Sequence, residues 1–156
     1  MENDKRLDLH FSKVREVKSP SRGTPKSAGI DFYVPDKFET ATLLAGGSIL
    51  IPSGIKVNIP EGYALIAFNK SGVSTKKSLI VGACVVDEDY QGEVHIHLFN
   101  NSSHDVEISA GDKIVQFILI PVLYANIVEV DIDSLYTETT VRGEGKFGST
   151  DRGGNS

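Results

Sequence analysis

The sequence predicts an all-β sandwich or barrel. Short runs of aliphatic, aromatic and β-branched residues recur along the chain, with glycine or proline punctuation about every eight to twelve residues. From Val81 to Phe99, two such runs flank a polar segment closed by Gly92, the pattern of a long β-hairpin. No convincing amphipathic helix competes with these signals, because the one candidate, Ser71 to Lys77, is too short to stand alone.

In chain order, Leu7, Leu9 and Phe11 alternate in a polar, basic segment and read as an opening edge strand, and Ser19 to Pro25 reads as a loop. Ala28 to Pro35 is a strand in which Gly29 allows close backbone approach and Asp31 interrupts an apolar run. Leu43-Leu44, Ser48 to Pro52 and Gly54 to Pro60 follow, with a turn at Gly46-Gly47 and another at Glu61-Gly62 before Tyr63 to Phe68. After the hairpin come a loop at Asn100 to His104, a short strand at Val106 to Ile108, a turn at Gly111-Asp112, and Lys113 to Pro121, which reads as a strand buried on both faces. At Thr137 the composition changes, and the remainder is too glycine-rich and too poor in apolar residues to pack by itself. The expected organisation is one β domain over residues 1–136 and a flexible glycine-rich tail over 137–156.

At 156 residues the chain is sized for one core-bearing domain. Its formal charge of −5 argues against a general nucleic-acid binder, which would carry a basic face for phosphates. Local cationic groups, Lys70, Lys76 and Lys77 in one segment and Arg142, Lys146 and Arg152 in another, leave room for a small polyanion, with a divalent cation to offset the remaining repulsion. The lone Cys84 excludes an intrachain disulfide and fits a reducing compartment. The most apolar stretch, Ile114 to Val128, is broken by Gln116, Pro121 and Asn126 and falls short of a membrane span. The expectation is a soluble, cytoplasmic protein with no membrane partner.

The hairpin tip gathers Asp87, Glu88, Asp89 and Tyr90. Such tips are commonly turn chemistry, with carboxylates bonding nearby amides. Alternation of faces also allows a carboxylate and a tyrosine to be aimed at one bound molecule beside accessible backbone. In Asn69-Lys70-Ser71-Gly72-Val73 a cation, a hydroxyl and a glycine stand in succession, groups that a polyphosphate needs. Asp31 and Gln116, polar residues in apolar strands, require partners, either structural or in a ligand shell. In the tail, Phe147, a guanidinium and adjacent hydroxyls could order around phosphates under an aromatic lid.

Taken in order, Ala28 to Phe32, Lys70 to Val73, Val81 to Glu93, Gly111 to Gln116 and Arg142 to Thr150 resemble the motifs of the trimeric dUTP pyrophosphatases. The resemblance implies a β jelly roll assembled as a homotrimer, sites at subunit boundaries, and a tail from one subunit closing over a site built by others. It implies hydrolysis of dUTP to dUMP and pyrophosphate with Mg²⁺, which keeps uracil out of DNA and supplies a thymidylate precursor. By the same resemblance Asp87 is the general base and Tyr90 packs under the deoxyribose, excluding a 2′-hydroxyl. Val81, Gly82, Val85, Val86 and His95 surround the uracil. Lys70, Ser71, Gly72, Arg142, Ser149 and Thr150 belong with the phosphates, Phe147 covers the base, and Gly148 is placed with the substrate. Gln116 is placed with the substrate and, together with Asp31, in an outer metal shell, with no direct metal ligand expected from the chain.

Lys70 and Lys113 stand where this family usually has arginine, Lys146 where it has glycine in the tail, and Cys84 where it usually has a glycine in the hairpin. Lysine keeps charge but loses the bidentate fork. Counting from the turn, Cys84 falls roughly opposite His95. A Cys–His metal pair would supply two ligands where zinc wants four, so a shifted base preference is the better reading of this departure. Two alternatives belong with the resemblance: a related dCTP hydrolase or deaminase, and a nucleotide-sensing regulator on the same fold.

Overall fold

The structure, a computed structural model, describes residues 7–147. The chain divides into two units, residues 1–123 and 124–156. That division falls ahead of the change of composition at Thr137.

The first unit holds all the strands among the described residues: β1 (His10–Lys13), β2 (Ile30–Phe32), β3 (Ala41–Leu43), β4 (Ser48–Pro52), β5 (Ile55–Asn58), β6 (Tyr63–Phe68), β7 (Leu79–Val81), β8 (Val85–Val86), β9 (His95–Asn100), β10 (Val106–Ile108) and β11 (Val115–Pro121). Every pairing is antiparallel. One sheet has the order β2-β11-β6-β8, a second β4-β9-β7, and two ribbons pair β1 with β5 and β3 with β10. The all-β expectation holds, and the punctuation read from the sequence marks real turns. Gly54 and Gly62 sit at φ +77° and +80°, the left-handed region where a side chain would strain the backbone.

Alternation builds the core. In β9, Ile96, Leu98 and Asn100 point inward while His95 and Phe99 are exposed, and in β5 Ile55 and Val57 are buried between exposed Lys56 and Asn58. Phe32 and Phe117, both 1% exposed, stack at 4.5 Å between ring centres where β2 meets β11. Asn100 is the buried polar exception, and it is satisfied: its amide donates to Leu43 O and His104 O while its carbonyl accepts from Ser102. The short helix α1 (Ser71–Lys77) forms where the sequence allowed one, carried by packing of Val73 against the core rather than by its own propensity.

In the second unit, the only regular element among the described residues is the turn of helix α2 (Ile132–Leu135). No helix among the described residues is long and apolar enough to cross a membrane.

Because Phe117 fills the centre of the core, Phe117→Ala is expected to cost about 3–5 kcal/mol. Urea unfolding followed by circular dichroism measures it, and a loss of under about 1 kcal/mol would contradict this packing.

Candidate active site

The predicted hairpin exists at its base and then opens. Val81 pairs with Leu98, the Gly82 amide donates to His97 O at 2.9 Å, and the Ala83 amide donates to His97 Nδ1 at 2.8 Å. Beyond that point the outgoing arm leaves β9. Val85 and Val86 pair with Ile66 and Leu65 of β6, and Cys84 O accepts the Ala67 amide at 2.8 Å, so the arm has changed sheets. The return arm stays with β4, with His95 opposite Pro52. Gly82 permits the parting, since a Cβ there would stand 2.3 Å from His97 Nδ1 and 2.6 Å from the Phe99 ring.

Between the parted arms lies a cavity of about 180 Å³ lined by Ala83, Cys84, Val85, Val86, Asp87, Tyr90, Glu93, Val94, His95 and Phe117. Six residues singled out from the sequence meet here: Asp87, Tyr90, Val85, Val86, His95 and the divergent Cys84. A larger cavity of about 410 Å³ lies beside Arg15, Lys37 and Phe38, but its cations are already paired, Arg15 with Glu93 and Lys37 with Glu16 at 2.9 Å.

The four polar tip residues divide the work. Glu88 does turn chemistry, its carboxylate accepting the Gly62 amide at 2.6 Å and tying the tip to the turn before β6. Asp87 is exposed at the end of β8, and its carbonyl accepts the Tyr90 amide at 3.1 Å across the turn. Tyr90 folds back over Gly92, where a Cβ would stand 2.3 Å from Cζ and Oη, and its hydroxyl donates to Glu93 O at 3.0 Å. Asp89 is exposed and lies outside the cavity lining.

Glu93 and Arg15 were not picked out from the sequence, although Glu93 lies within the hairpin. Arg15 Nε and Nη2 donate to Glu93 Oε1 and Oε2 at 2.7 and 3.2 Å, and the Gly54 amide donates to Oε1 at 2.8 Å. The Arg15 hydrogen bonds do most to hold the Glu93 carboxyl below its ordinary value, with the Gly54 amide and the charges of Arg15 and His95 acting the same way against partial burial. The guanidinium is raised in turn. His95 Nδ1 lies 2.9 Å from Glu93 O.

A second cluster surrounds Asp31, which is 4% exposed. Lys70 Nζ donates to Oδ1 at 2.5 Å, and Lys113 Nζ lies 3.5 Å from Oδ2. The partners that a strand carboxylate requires are therefore two lysines, both at positions where the resemblance anticipates arginine. Gln116 pairs with Asp31 across β2 and β11, lies over Gly29, where a Cβ would clash at 2.0 Å, and donates to Asn69 O at 2.7 Å. Asn69 Oδ1 accepts the Val81 amide at 2.8 Å and so connects this cluster to the base of the hairpin. Ser71 and Gly72 open α1, and a Cβ at Gly72 would meet nothing within 4 Å. None of Lys70, Ser71, Gly72, Val81, Gly82 or Gln116 lines the hairpin cavity.

In the second unit, Arg142 Nε donates to Gly145 O at 3.2 Å within a local turn, and the Phe147 ring is fully exposed. Gly148, Ser149 and Thr150 lie outside the described residues.

A profile of the dUTPase family matches residues 15–151. The chain belongs to the dUTPase family. It is 41% identical over 145 residues to the deoxyuridine 5′-triphosphate nucleotidohydrolase of Arabidopsis thaliana, covering 90% of this chain and 82% of that one. It is also 41% identical over 134 residues to the enzyme of the same name from Candida albicans, covering 85% and 80%. Among solved structures, the dUTPase of Staphylococcus bacteriophage 80alpha with dUPNHPP superimposes at a TM-score of 0.80 over 92% of this chain and 98% of that one, at 23% identity. A mutant dUTPase from phage phi11 of S. aureus, whose structure details coordination of a structural Mg(II) ion, gives 0.72 over 80% and 97%, at 24% identity. These likenesses show the shared dUTPase fold, the β-rich jelly roll.

The carboxyl of Glu93 titrates below its unfolded value of 4.5, so its bond to Arg15 stabilises the chain fully above about pH 4.5. That contribution is lost as pH falls through the lower folded value. Stability of wild type and Arg15→Met, followed by thermal unfolding between pH 7 and pH 3, should differ most at the neutral end and converge toward acid. A gap that stays constant would contradict the linkage.

Proposed function

We propose that the chain hydrolyses dUTP to dUMP and pyrophosphate by water attack on the α-phosphorus, limiting uracil in DNA and supplying dUMP for thymidylate synthesis. The names of its relatives support the substrate, and one observation carries the rest: Asp87 and Tyr90 share a cavity opened where the outgoing arm passes from β9, bonded through β7, to β6, bonded through β8. An exposed carboxylate can accept the proton of an attacking water, and Asp87 takes that role. The Tyr90 ring, held on Gly92, packs under the deoxyribose and leaves no room for a 2′-hydroxyl.

The main chain of Val85 and Val86, with His95, surrounds the uracil as a pairing partner would, while Val81 and Gly82, outside the cavity lining, hold the base of the hairpin from which these arms part. Where the arms part, backbone groups are released from the ladder and must bond elsewhere. Cys84 is part of this cavity's lining, so base selection is measured along with activity.

Size argues for a shared site. Ligand pockets usually enclose about 300–1,000 Å³, whereas this one encloses about 180 Å³, room for a base and part of a sugar. Lys70, Ser71, Gly72 and Gln116 lie outside its lining. In a homotrimer these groups come from a neighbouring copy to the phosphates, and Arg142, Gly148, Ser149, Thr150 and the covering Phe147 come from a tail.

Mg²⁺ fits this chemistry as an ion carried by the substrate. Among the described residues no group of three or more His, Cys, Asp or Glu side chains is placed to hold a metal. Asp31 is bracketed by two ammonium groups and Gln116 bonds Asn69, which leaves both, at most, contacts through water. Bound to the polyphosphate, the ion would offset charge that the tail cations offset in part, and Lys70 would add to this by giving up its bond to Asp31.

Pyrophosphate release across dUTP, dCTP, dTTP and UTP tests the reading, with dUTP expected to lead. Asp87→Asn should lower kcat for dUTP by at least about 10²-fold while binding persists. Near-normal turnover would refute the base assignment. Mixed trimers of Asp87→Asn chains with chains truncated after Val141 should recover activity that neither has alone, and no recovery would contradict the shared site.

A further inference from the structure

The Tyr90 side chain does not hold itself in place. Its hydroxyl donates to the carbonyl of Glu93, and His95 Nδ1 stands 2.9 Å from that same oxygen, so one main-chain group positions two residues of the cavity wall. A carbonyl has two lone pairs and can take both. The peptide that carries this carbonyl is held from two sides: the Val94 amide of the same peptide donates to Ile55 O at 2.8 Å, and the Glu93 side chain reaches away from the hairpin to a different part of the fold.

There it meets a prepared seat. The Val14 amide donates to Gly54 O at 2.8 Å, which sets Arg15 beside the turn between β4 and β5. Gly54, left-handed at φ +77°, lets Arg15 approach so closely that a Cβ on Gly54 would stand 3.0 Å from the Arg15 Cβ. The Arg15 fork and the Gly54 amide together place three donors on one carboxylate. Charge-assisted, forked bonds of this kind fix orientation as well as energy. The Glu93 side chain is 16% exposed and that of Arg15 51%, so the pair is partly open to solvent and acts through its forked geometry more than through shielding.

We infer that Arg15 and Glu93 are positioning residues for sugar selection: Arg15 holds Glu93, the Glu93 carbonyl holds the Tyr90 hydroxyl, and the fixed ring keeps a ribonucleotide out. This rests on the reading of Tyr90 given above. Arg15 acts from outside the cavity lining, through Glu93.

The test is pyrophosphate release by the full-length chain on dUTP and UTP, with Tm recorded, for wild type, Arg15→Met, Arg15→Lys and Tyr90→Ala. Arg15→Met should raise kcat/KM for UTP relative to dUTP about tenfold, mainly through KM for UTP, the size expected for losing a hydrogen-bonded charge. Arg15→Lys should recover part of the discrimination, because the charge and an ammonium donor group remain while the planar fork is lost. If Arg15→Met does not fold, Glu93→Gln, which keeps an acceptor for Gly54 but loses the ion pair, is expected to shift the ratio the same way. A parallel fall for both substrates with a lower Tm, and an unchanged ratio, would make the pair merely structural and overturn the inference. If Tyr90→Ala shifts the ratio and neither pair variant does, the inference alone fails. If Tyr90→Ala leaves the ratio unchanged, the reading of Tyr90 fails and takes the inference with it.

Discussion

The site depends on the parting of two strands. Through Gly82 the outgoing arm is hydrogen-bonded to β9, and from Cys84 it is bonded to β6 in another sheet. Had the arms remained paired to the tip, their backbone groups would satisfy each other and no cavity would exist between them. The missing Cβ at Gly82 makes the change of sheet possible, because His97 and Phe99 already occupy the space beside it.

A split ladder loses pairing, and the surrounding side chains compensate with fixed anchors. Glu88 ties the tip to Gly62, Glu93 ties the return arm to Gly54 and Arg15, and Gly92 provides the seat for Tyr90. These contacts reach the turns at Gly62 and Gly54 and brace the tip on its own Gly92, which is why an exposed tip can hold defined geometry. The Asp31 cluster does similar work at the other end. Two lysines and Gln116 gather around β2 and β11, and Asn69 relays the arrangement to Val81. Lysine at both positions gives point charges on separate carboxylate oxygens in place of a guanidinium fork.

Much of this was legible in the sequence. The alternation in Val94 to Asn100, the glycines at tight turns and the close approach at Gly29 are period and backbone signals that need no partner information. Asp87 and Tyr90 were readable together from one local stretch, whereas His95 came only with the family resemblance. Arg15 did not, because its partner lies 78 residues away and no local pattern joins them. The residue pattern shows a long hairpin but not where its arms part, because sequence pattern marks strands without marking which strand each one pairs with, and β8 pairs with β6. Partners for Asp31 were required by burial, yet their identity as Lys70 and Lys113 depended on tertiary contact.

The most direct measurement is a crystal structure of the full-length chain with a non-hydrolysable dUTP analogue. The account predicts the uracil between the parted arms, bonded to main-chain groups around residues 83–86, with a water about 2.6–3.2 Å from Asp87 and aligned on the α-phosphorus. A nucleotide seated in the larger cavity beside Arg15 and Phe38, with Asp87 facing only bulk solvent, would contradict it.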